Sequence, residues 1–346
     1  KSIEISQGAP ASAAGEAKPY GTAYWNERGE SVTGNTRGDD SRVIMDRAIP
    51  FIRGAARRGQ PFFGIVWFHA PHLPVVAGPR HTAMYAGHAK YAQHYYGCIT
   101  ALDEQVGRLR AELRALGIAD DTLLFFCSDN GPEGKSGSAP GTAAHFSGRK
   151  RSLLEGGIRV PAIAWGPGLG LQAGAESSAV VRAMDWYPTL ATFAGIKVPI
   201  DRVIDGRDIS PLLKGETKVV PHPGMKKSLN ASVPLRRRWD PPGEWKPLIH
   251  RNEYNDAFFY HGSQGALAAV RWRNWKLYLN PNLQLYDLAK DPGESKFVRN
   301  REIIRKLRGM AILFQEEMRL DARPAGEAPP QPRTNGRNPT QAQEGK

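Results

Sequence analysis

The apolar positions in the first third of the chain recur at helical spacing in two places. A first helix is predicted by a set of such positions, namely Val43, Ile44, Ala48, Phe51 and Ile52. Asp39, Asp40 and Ser41 directly precede this helix, and their short polar side chains can cap it. A longer helix is predicted from Tyr91 to Leu116, where apolar residues repeat at intervals of three and four and Gly117 stands at the expected C-terminal cap.

Three short apolar runs bounded by turn residues predict strands, at 62–68, 122–127 and 159–165. The first is apolar at almost every position, which is typical of a strand buried on both faces of a parallel sheet. Strands that alternate with helices predict an α/β fold whose ligands lie beyond the carboxyl ends of the strands. We therefore expect the functional residues to follow these runs directly, and a short helix to form later, from Met184 to Ala194.

The second half of the chain has a different pattern. Residues 216–253 are rich in proline and basic residues and predict a linker or long loop. Short strand-like runs at 257–260, 266–272, 275–279 and 283–288 predict a small antiparallel sheet, and an amphipathic helix at 303–318 could cover it. We divide the chain into the end of an α/β domain (1–215), a linker (216–253), an α+β subdomain (254–321) and a disordered tail (322–346).

Composition excludes several classes of function. The 346 residues carry a formal net charge of +13, yet the basic residues are scattered and no nucleic-acid-binding signature is present, so we expect no nucleic-acid partner. Only two cysteines occur, Cys98 and Cys127, and both are predicted to be small core residues. No apolar run approaches the roughly 20 residues of a membrane span, and no signal peptide is visible.

Three groups of residues suggest chemistry. His72 and the pair Asp129-Asn130 each follow a predicted strand, and Lys150 precedes the run Glu155-Gly156-Gly157. Each has an ordinary explanation when it is taken alone, as a loop histidine, a turn or a solvated lysine. Together, the acid and amide offer hard oxygen ligands to Ca²⁺ or Mg²⁺. A lysine can bind an anionic oxygen and a histidine can protonate a leaving group, so the set suits transfer of a sulfuryl or phosphoryl group.

In this order, these groups resemble the sulfatase family of the alkaline-phosphatase-like superfamily. The resemblance is close from about Asp39 to Gly215 and looser as far as Glu294. The residues that carry it are Ala70 to Pro74, Ala101-Leu102-Asp103, Ser128 to Gly131, Lys150, Glu155 to Pro161, Asp205-Gly206, Trp275 to Tyr278, Leu285 to Leu288 and Asp291 to Glu294. The resemblance implies a mixed sheet sandwiched by helices, incomplete at its N-terminus, followed by a small antiparallel-sheet and helix domain.

The resemblance also implies roles for four residues. Asp129 and Asn130 match two ligands of a divalent metal, usually Ca²⁺ in this family. Lys150 matches the lysine that holds a sulfate oxygen, and His72 matches the histidine that contacts the sulfate or protonates the leaving group, so both are expected to be catalytic and substrate-binding. Glu155 is expected to organise its loop. The implied substrate is a sulfated small molecule or polysaccharide, and the implied compartment is the periplasm or the exterior.

The nucleophile implied by the resemblance is a formylglycine made from the Cys or Ser of a Cys/Ser-x-Pro-x-Arg motif. Neither Cys98 nor Cys127 lies in such a motif, and we expect this chain to contain no motif of this kind and so to lack the nucleophile. It and the paired aspartates that complete the metal site are expected in an N-terminal segment preceding Lys1, so the chain alone is expected to bind metal weakly and to be inactive. Two alternatives remain open, a phosphodiesterase or phosphonate monoester hydrolase of the same superfamily, and a glycan-binding pseudoenzyme.

Overall fold

A computed structural model describes residues 24–134, 137, 139–199, 204–218, 254, 256–263 and 265–321. Its helices are α1 (Asp40–Arg57), α2 (Pro79–Ala83), α3 (Lys90–Ala115), α4 (Glu155–Ile158), α5 (Trp186–Phe193), α6 (Ser210–Leu213) and α7 (Arg301–Asp321). Its strands are β1 (Tyr24–Trp25), β2 (Ser31–Val32), β3 (Leu124–Cys127), β4 (Ala162–Trp165), β5 (Ala257–His261), β6 (Leu267–Trp272), β7 (Trp275–Tyr278) and β8 (Gln284–Asp287). The expected tail and nearly all of the expected linker lie outside the described residues.

The two helices predicted in the first third of the chain are confirmed and pack against each other. The Asp39 carboxylate accepts a hydrogen bond from the Arg42 amide (3.1 Å) and so caps α1. Gly117 follows α3 with a φ of +70°, which is the left-handed conformation that glycine adopts readily. The buried residues between the helices are Met45, Ile49, Ile52, Leu109 and Leu113. This shared core fixes the position of both helices.

The strand predicted at 62–68 does not form within the described residues, where this segment has no ladder partner. One set of alternate residues, Phe62, Val66 and Phe68, packs on the core between α1 and α3. The other set is exposed, with Phe63, Ile65 and Trp67 at 67%, 65% and 74%. The prediction of burial on both faces was therefore wrong, because apolar side chains on both faces of a segment do not guarantee that other helices or strands cover both faces.

The strands predicted at 122–127 and 159–165 are confirmed as β3 and β4, which pair with each other. Their ladder is antiparallel, with Leu124 opposite Trp165 and Cys127 opposite Ala162, which agrees with the mixed sheet that the resemblance implies. Cys98 is buried as predicted, but Cys127 is exposed, so its assignment to the core was wrong. The helix predicted at 184–194 is also confirmed, as a 3-10 turn (Ala183–Asp185) continued by α5.

The small antiparallel sheet predicted near the C-terminus is confirmed, with strand order β5-β6-β7-β8. Helix α7 covers it and buries a core that contains Leu277, Leu285, Leu307 and Met310. The described protein is thus a mixed α/β structure with a separate C-terminal antiparallel sheet and helix. None of the helices within the described ranges is both long and apolar enough to cross a membrane.

Candidate functional site

His72 lies in an exposed loop that follows the extended segment 62–68. Its Nδ1 atom is 2.6 Å from the Leu73 carbonyl oxygen, which can only accept a hydrogen bond, so Nδ1 carries the proton of this contact. Nε2 is then the ring atom that can exchange a proton with a ligand. The loop contains two cis peptide bonds, Ala70–Pro71 and Leu73–Pro74.

The His72 loop is anchored to helix α1 by a neighbouring histidine. His69 Nδ1 is 2.9 Å from Asp40 Oδ2, and the Tyr24 hydroxyl donates to the other oxygen of Asp40. Burial and the hydrogen bond to Asp40 raise the pKa of Tyr24, so its hydroxyl stays protonated and remains a donor. His69, to which sequence reasoning assigned no role, therefore holds the base of the loop that presents His72.

Asp129 and Asn130 lie directly after β3, as predicted. The Ser128 hydroxyl donates to the Asn130 carbonyl (3.0 Å), and the Gly131 amide donates to the Gly157 carbonyl (2.9 Å). A Cβ atom at Gly131 would lie 1.9 Å from the Gly156 carbonyl oxygen, so only glycine fits there. The loop of residues 128–132 is consequently packed directly on α4.

Lys150 lies on a second loop, residues 147–154, whose backbone is tied to the first. The Lys150 amide donates to the Pro132 carbonyl (3.0 Å), and its Nζ atom is 3.8 Å from Glu133 Oε2. Glu133 also accepts a hydrogen bond from Arg151 (2.7 Å), and this contact is the main reason that the pKa of Glu133 is lowered to about 2. Glu133, a counter-charge to Lys150 that sequence reasoning missed, is thus ionised at neutral pH.

Helix α4 is the place where the two loops meet. The Gly156 amide donates to the Ser147 carbonyl (2.7 Å), which closes the loop of Lys150, while Gly157 accepts from Gly131. A Cβ at Gly157 would lie 2.6 Å from the Arg149 carbonyl oxygen, so the second glycine is also required by close backbone packing. This single turn therefore brings the segments of Asp129, Asn130 and Lys150 together. Within the described residues no hydrogen bond or ion pair joins His72 to these three.

Glu155, the first residue of α4, belongs to a buried ion cluster with Arg271, Lys276 and Glu294. Lys276 Nζ lies 2.9 Å from Glu155 Oε1 and 3.0 Å from Glu294 Oε1. Arg271 Nη1 lies 3.1 Å from Glu155 Oε2. The expectation that Glu155 organises its loop agrees with this geometry. The segments Trp275 to Tyr278 and Asp291 to Glu294 stood out in the sequence, but nothing local indicated that Lys276 and Glu294 meet Glu155.

The described residues contain two candidate ligands for a divalent cation. Asp129 and Asn130 have the hard oxygen donors that Ca²⁺ prefers, but Ca²⁺ takes about six to eight such ligands. Nowhere in the described part of the chain do three or more His, Cys, Asp or Glu side chains gather in a way that could hold a metal. The pair fits one side of a calcium site and needs further ligands.

The prediction that the chain contains no Cys/Ser-x-Pro-x-Arg motif was wrong. Residues Ser232 to Arg236 form a Ser-x-Pro-x-Arg string. The string follows the Asp-Asn pair and Lys150, whereas the resemblance places the nucleophile before them. It also lies outside the described residues. Its place along the chain does not match the order of motifs that the resemblance implies.

The chain is similar to several known proteins. The chain is 33% identical over 229 residues to human steryl-sulfatase (Homo sapiens), which covers 62% of this chain and 38% of that protein. It is 37% identical over 180 residues to N-acetylgalactosamine-6-sulfatase of Mus musculus, covering 51% of this chain and 33% of that protein. The crystal structure of Ps i-CgsB superposes with a TM-score of 0.63 at 25% identity, over 87% of this chain and 58% of that one.

The chain thus spans well under half the length of these two curated relatives. The family model described as Sulfatase matches residues 7–196, which is more than half of the chain. That range includes His72, Asp129, Asn130, Lys150 and α4, and it ends before Ser232. The chain belongs to the sulfatase family.

Proposed function

We propose that this chain forms one side of the active site of a metal-dependent sulfuric ester hydrolase. The observation that carries the proposal is the packing of two loops on α4, which places the Asp129-Asn130 pair and Lys150 on adjoining segments. Hard oxygen ligands beside a lysine suit an oxyanion that is bound jointly by a cation and an ammonium group. Membership of the sulfatase family supports sulfate as that oxyanion.

Lys150 and His72 would have different roles in catalysis. The Lys150 ammonium would bind sulfuryl oxygens and stabilise the charge that they carry as the bond from sulfur to the leaving oxygen breaks. His72, protonated on both nitrogens, would donate its Nε2 proton to the departing alkoxide, while Nδ1 stays bonded to the Leu73 carbonyl. A bound sulfate would compete with Glu133 for Lys150, since these two side chains are paired in the absence of an anion.

The metal and the nucleophile belong to the same proposal. Asp129 and Asn130 would hold a divalent cation, most simply Ca²⁺, which would polarise the sulfate oxygens when bound, and a formylglycine would supply the attacking oxygen. We propose that the formylglycine lies outside this sequence rather than at Ser232, because Ser232 lies beyond the residues matched by the family model. The isolated chain is then inactive and binds Ca²⁺ weakly.

The substrate class follows from the family and the site. Relatives named steryl-sulfatase and N-acetylgalactosamine-6-sulfatase support a sulfate ester as the substrate, on either a small molecule or a carbohydrate. The net charge of +13 would favour approach of an anionic, multiply sulfated substrate. We also propose a periplasmic or secreted location, which rests on the family alone.

The decisive experiment compares this chain with the full product of its gene, read from the DNA upstream of the Lys1 codon. Both proteins are given p-nitrophenyl sulfate, an alkyl sulfate and an aryl phosphodiester, with Ca²⁺ or with a chelator. We expect sulfate hydrolysis by the full product only, and its loss in the chelator. Faster phosphodiester turnover would instead assign the protein to the other branch of the superfamily, and sulfated-glycan binding without turnover would make it a pseudoenzyme.

Variants of the full product test the assigned roles. Lys150→Ala should lower turnover of both sulfates by roughly 10²–10³-fold, while the exposed control Lys290→Ala should leave it unchanged. His72→Ala should harm the alkyl sulfate more than p-nitrophenyl sulfate, because p-nitrophenolate leaves without protonation. Ser232→Ala should retain full activity. Activity lost with Ser232→Ala, or shown by the isolated chain, would overturn the proposed origin of the nucleophile.

A further inference from the structure

We infer that Lys276, on the C-terminal sheet, is a positioning residue for Lys150. Lys276 lies on β7 and is completely buried, and its ammonium has three acceptors around it. These are Glu155 Oε1 (2.9 Å), Glu294 Oε1 (3.0 Å) and the Leu153 carbonyl (2.7 Å). All three ammonium protons therefore have a partner, and the role assigned to Lys276 rests on the anion-binding role proposed for Lys150.

The carboxylates of the ion cluster are closed to solvent, and a third cation, the partly exposed Arg159, lies at its edge, 4.0 Å from Glu155 Oε2. Two carboxylates, Glu155 and Glu294, face two cations, Lys276 and Arg271, and the carboxylate side chains are 1% and 0% exposed. Glu294 Oε2 also accepts a hydrogen bond from the Glu155 amide (2.6 Å). Buried ion pairs are seldom more stabilising than apolar residues of the same size, but loss of one partner is strongly destabilising. A cluster of this kind specifies geometry more than it adds stability.

The geometry that the cluster specifies is that of the loop carrying Lys150. Leu153 and Glu155, the two residues of the loop and α4 that Lys276 contacts, follow Lys150 by three and five positions. The Gly156 amide closes the loop on Ser147, so the cluster holds the base of a closed loop. Gly293 packs closely against the start of the same loop, because a Cβ there would lie 3.0 Å from the His145 carbonyl oxygen and 3.9 Å from Ser147 Oγ.

Several contacts connect the C-terminal sheet to the Lys150 loop and α4, and Lys276 is the cation that bonds to both Leu153 and Glu155. If Lys276 loses its charge, the buried Glu294 loses its ion pair with Lys276, and Glu155 keeps only Arg271 and the more distant, partly exposed Arg159. The turn must then open or admit water to hydrate the uncompensated carboxylate, and Lys150 loses its fixed position. Deletion of an apolar side chain from the same sheet should not have this local effect, because it leaves the charges of the cluster unchanged.

The test uses this chain and two variants, Lys276→Met and Leu307→Ala. Leu307 is completely buried in the core under the sheet and is outside the cluster, so Leu307→Ala controls for general destabilisation. Acetylation of the Lys150 amine is followed by mass spectrometry, together with amide hydrogen exchange over residues 147–157. Lys276→Met should increase the rates of acetylation and of hydrogen exchange by on the order of 100-fold, because the loss of one partner of a buried ion pair favours opening of the loop. Leu307→Ala should change both by less than about threefold relative to other segments.

Protection of Lys150 by sulfate tests whether Lys276 fixes the position of the Lys150 side chain, as distinct from keeping the loop closed. Inorganic sulfate should protect Lys150 from acetylation, and Lys276→Met should raise the sulfate concentration needed for half-protection by about tenfold or more, with Leu307→Ala unchanged. Equal effects of the two variants, or none, would overturn the inference. If sulfate protects Lys150 neither in the unmodified chain nor in the full gene product, the proposed anion role fails, while the labelling rates still decide the positioning role. If Lys276→Met does not fold, Glu294→Gln serves as the milder variant with the same expected directions.

Discussion

Replacement of Gly131 by alanine should disturb the candidate site at the point where its two loops meet. The added Cβ would lie 1.9 Å from the Gly156 carbonyl oxygen and 3.0 Å from the Gly157 Cα atom. Ordinary contact begins at 3.4 Å, so the α4 turn would have to retreat by about 1.5 Å. That movement breaks the hydrogen bond from the Gly131 amide to the Gly157 carbonyl. Overpacking of about 1–3 kcal/mol and a lost hydrogen bond of about 1 kcal/mol predict a destabilisation of about 2–4 kcal/mol.

Gly107→Ala is a matched control whose expected effect on stability has the opposite sign. Gly107 is an exposed residue in the middle of α3, and a Cβ there would have nothing within 4 Å. Gly107→Ala should therefore stabilise the protein by about 0.5–1 kcal/mol, because alanine loses less conformational entropy in a helix than glycine does.

Thermal unfolding followed by circular dichroism measures both variants, and about 2–4 °C of melting temperature corresponds to each kcal/mol. Hydrogen exchange over residues 128–132 and 147–157 then shows whether the loss is local to the site. A Gly131→Ala protein that melts within 1 °C of the unmodified chain would refute the packing of the Asp129 segment on α4. Equal destabilisation by both alanine variants would show instead that the effect is not specific to this contact.

Three further predictions use simpler measurements. Trp67→Lys removes part of an exposed apolar face, so sedimentation velocity should show less self-association with less than about 0.5 kcal/mol change in stability, and unchanged sedimentation would contradict this. Leu307→Ala should lower the free energy of unfolding in urea by about 2–5 kcal/mol, and a loss below about 1 kcal/mol would contradict its place in the core. At pH 8 a thiol reagent should modify the exposed Cys127 and spare Cys98, because burial raises the pKa of the Cys98 thiol to about 12. Equal labelling of the two thiols would contradict the burial of Cys98. Because folding raises the pKa of Cys98, its thiol contributes stability below pH 9, and this contribution should be lost as the pH rises from 9 towards 12.

The elements that the sequence predicted well are those whose evidence is local. Helices α1 and α3 follow from three- and four-residue spacing together with a capping Asp39 and a terminal Gly117. The four strands β5 to β8 follow from short apolar runs separated by turn residues, and consecutive strands of this kind pair as neighbours. In both cases the residues that carry the prediction lie close together in the sequence.

The failures share a different cause, which is that they concern partners distant in sequence. The run at 62–68 is apolar enough for a strand buried on both faces, but pattern alone cannot report whether strands are present on either side. The sequence made no prediction of which strands pair, because the antiparallel pairing of β3 with β4 depends on the path of the 34 residues between Cys127 and Ala162, which no periodicity encodes. Cys127 was placed in the core for the same reason, since a strand end is buried only if something covers it.

The candidate site shows the same division. Chemistry of residue types was enough to select Asp129, Asn130 and Lys150, and motif order was enough to place them in one family. The reason that they adjoin is Gly131 against Gly156, a contact whose signal in the sequence is only that both residues are glycine. Glu133, which balances Lys150, had no signal, since an acidic residue in a Gly-rich loop is ordinarily a solvated one.

The buried ion cluster bears on the division of the chain into domains, which stays a prediction. Composition suggests a boundary between 216 and 253, since that stretch lacks the pattern of a packed element. Glu155 and Lys276 nonetheless lie 121 residues apart on opposite sides of it and share one buried ion pair. Removal of the C-terminal sheet would leave the Glu155 carboxylate, at the base of the Lys150 loop, without two of its cations, and an uncompensated buried charge is strongly destabilising. The two parts of the chain therefore form one unit as far as the position of the Lys150 loop is concerned.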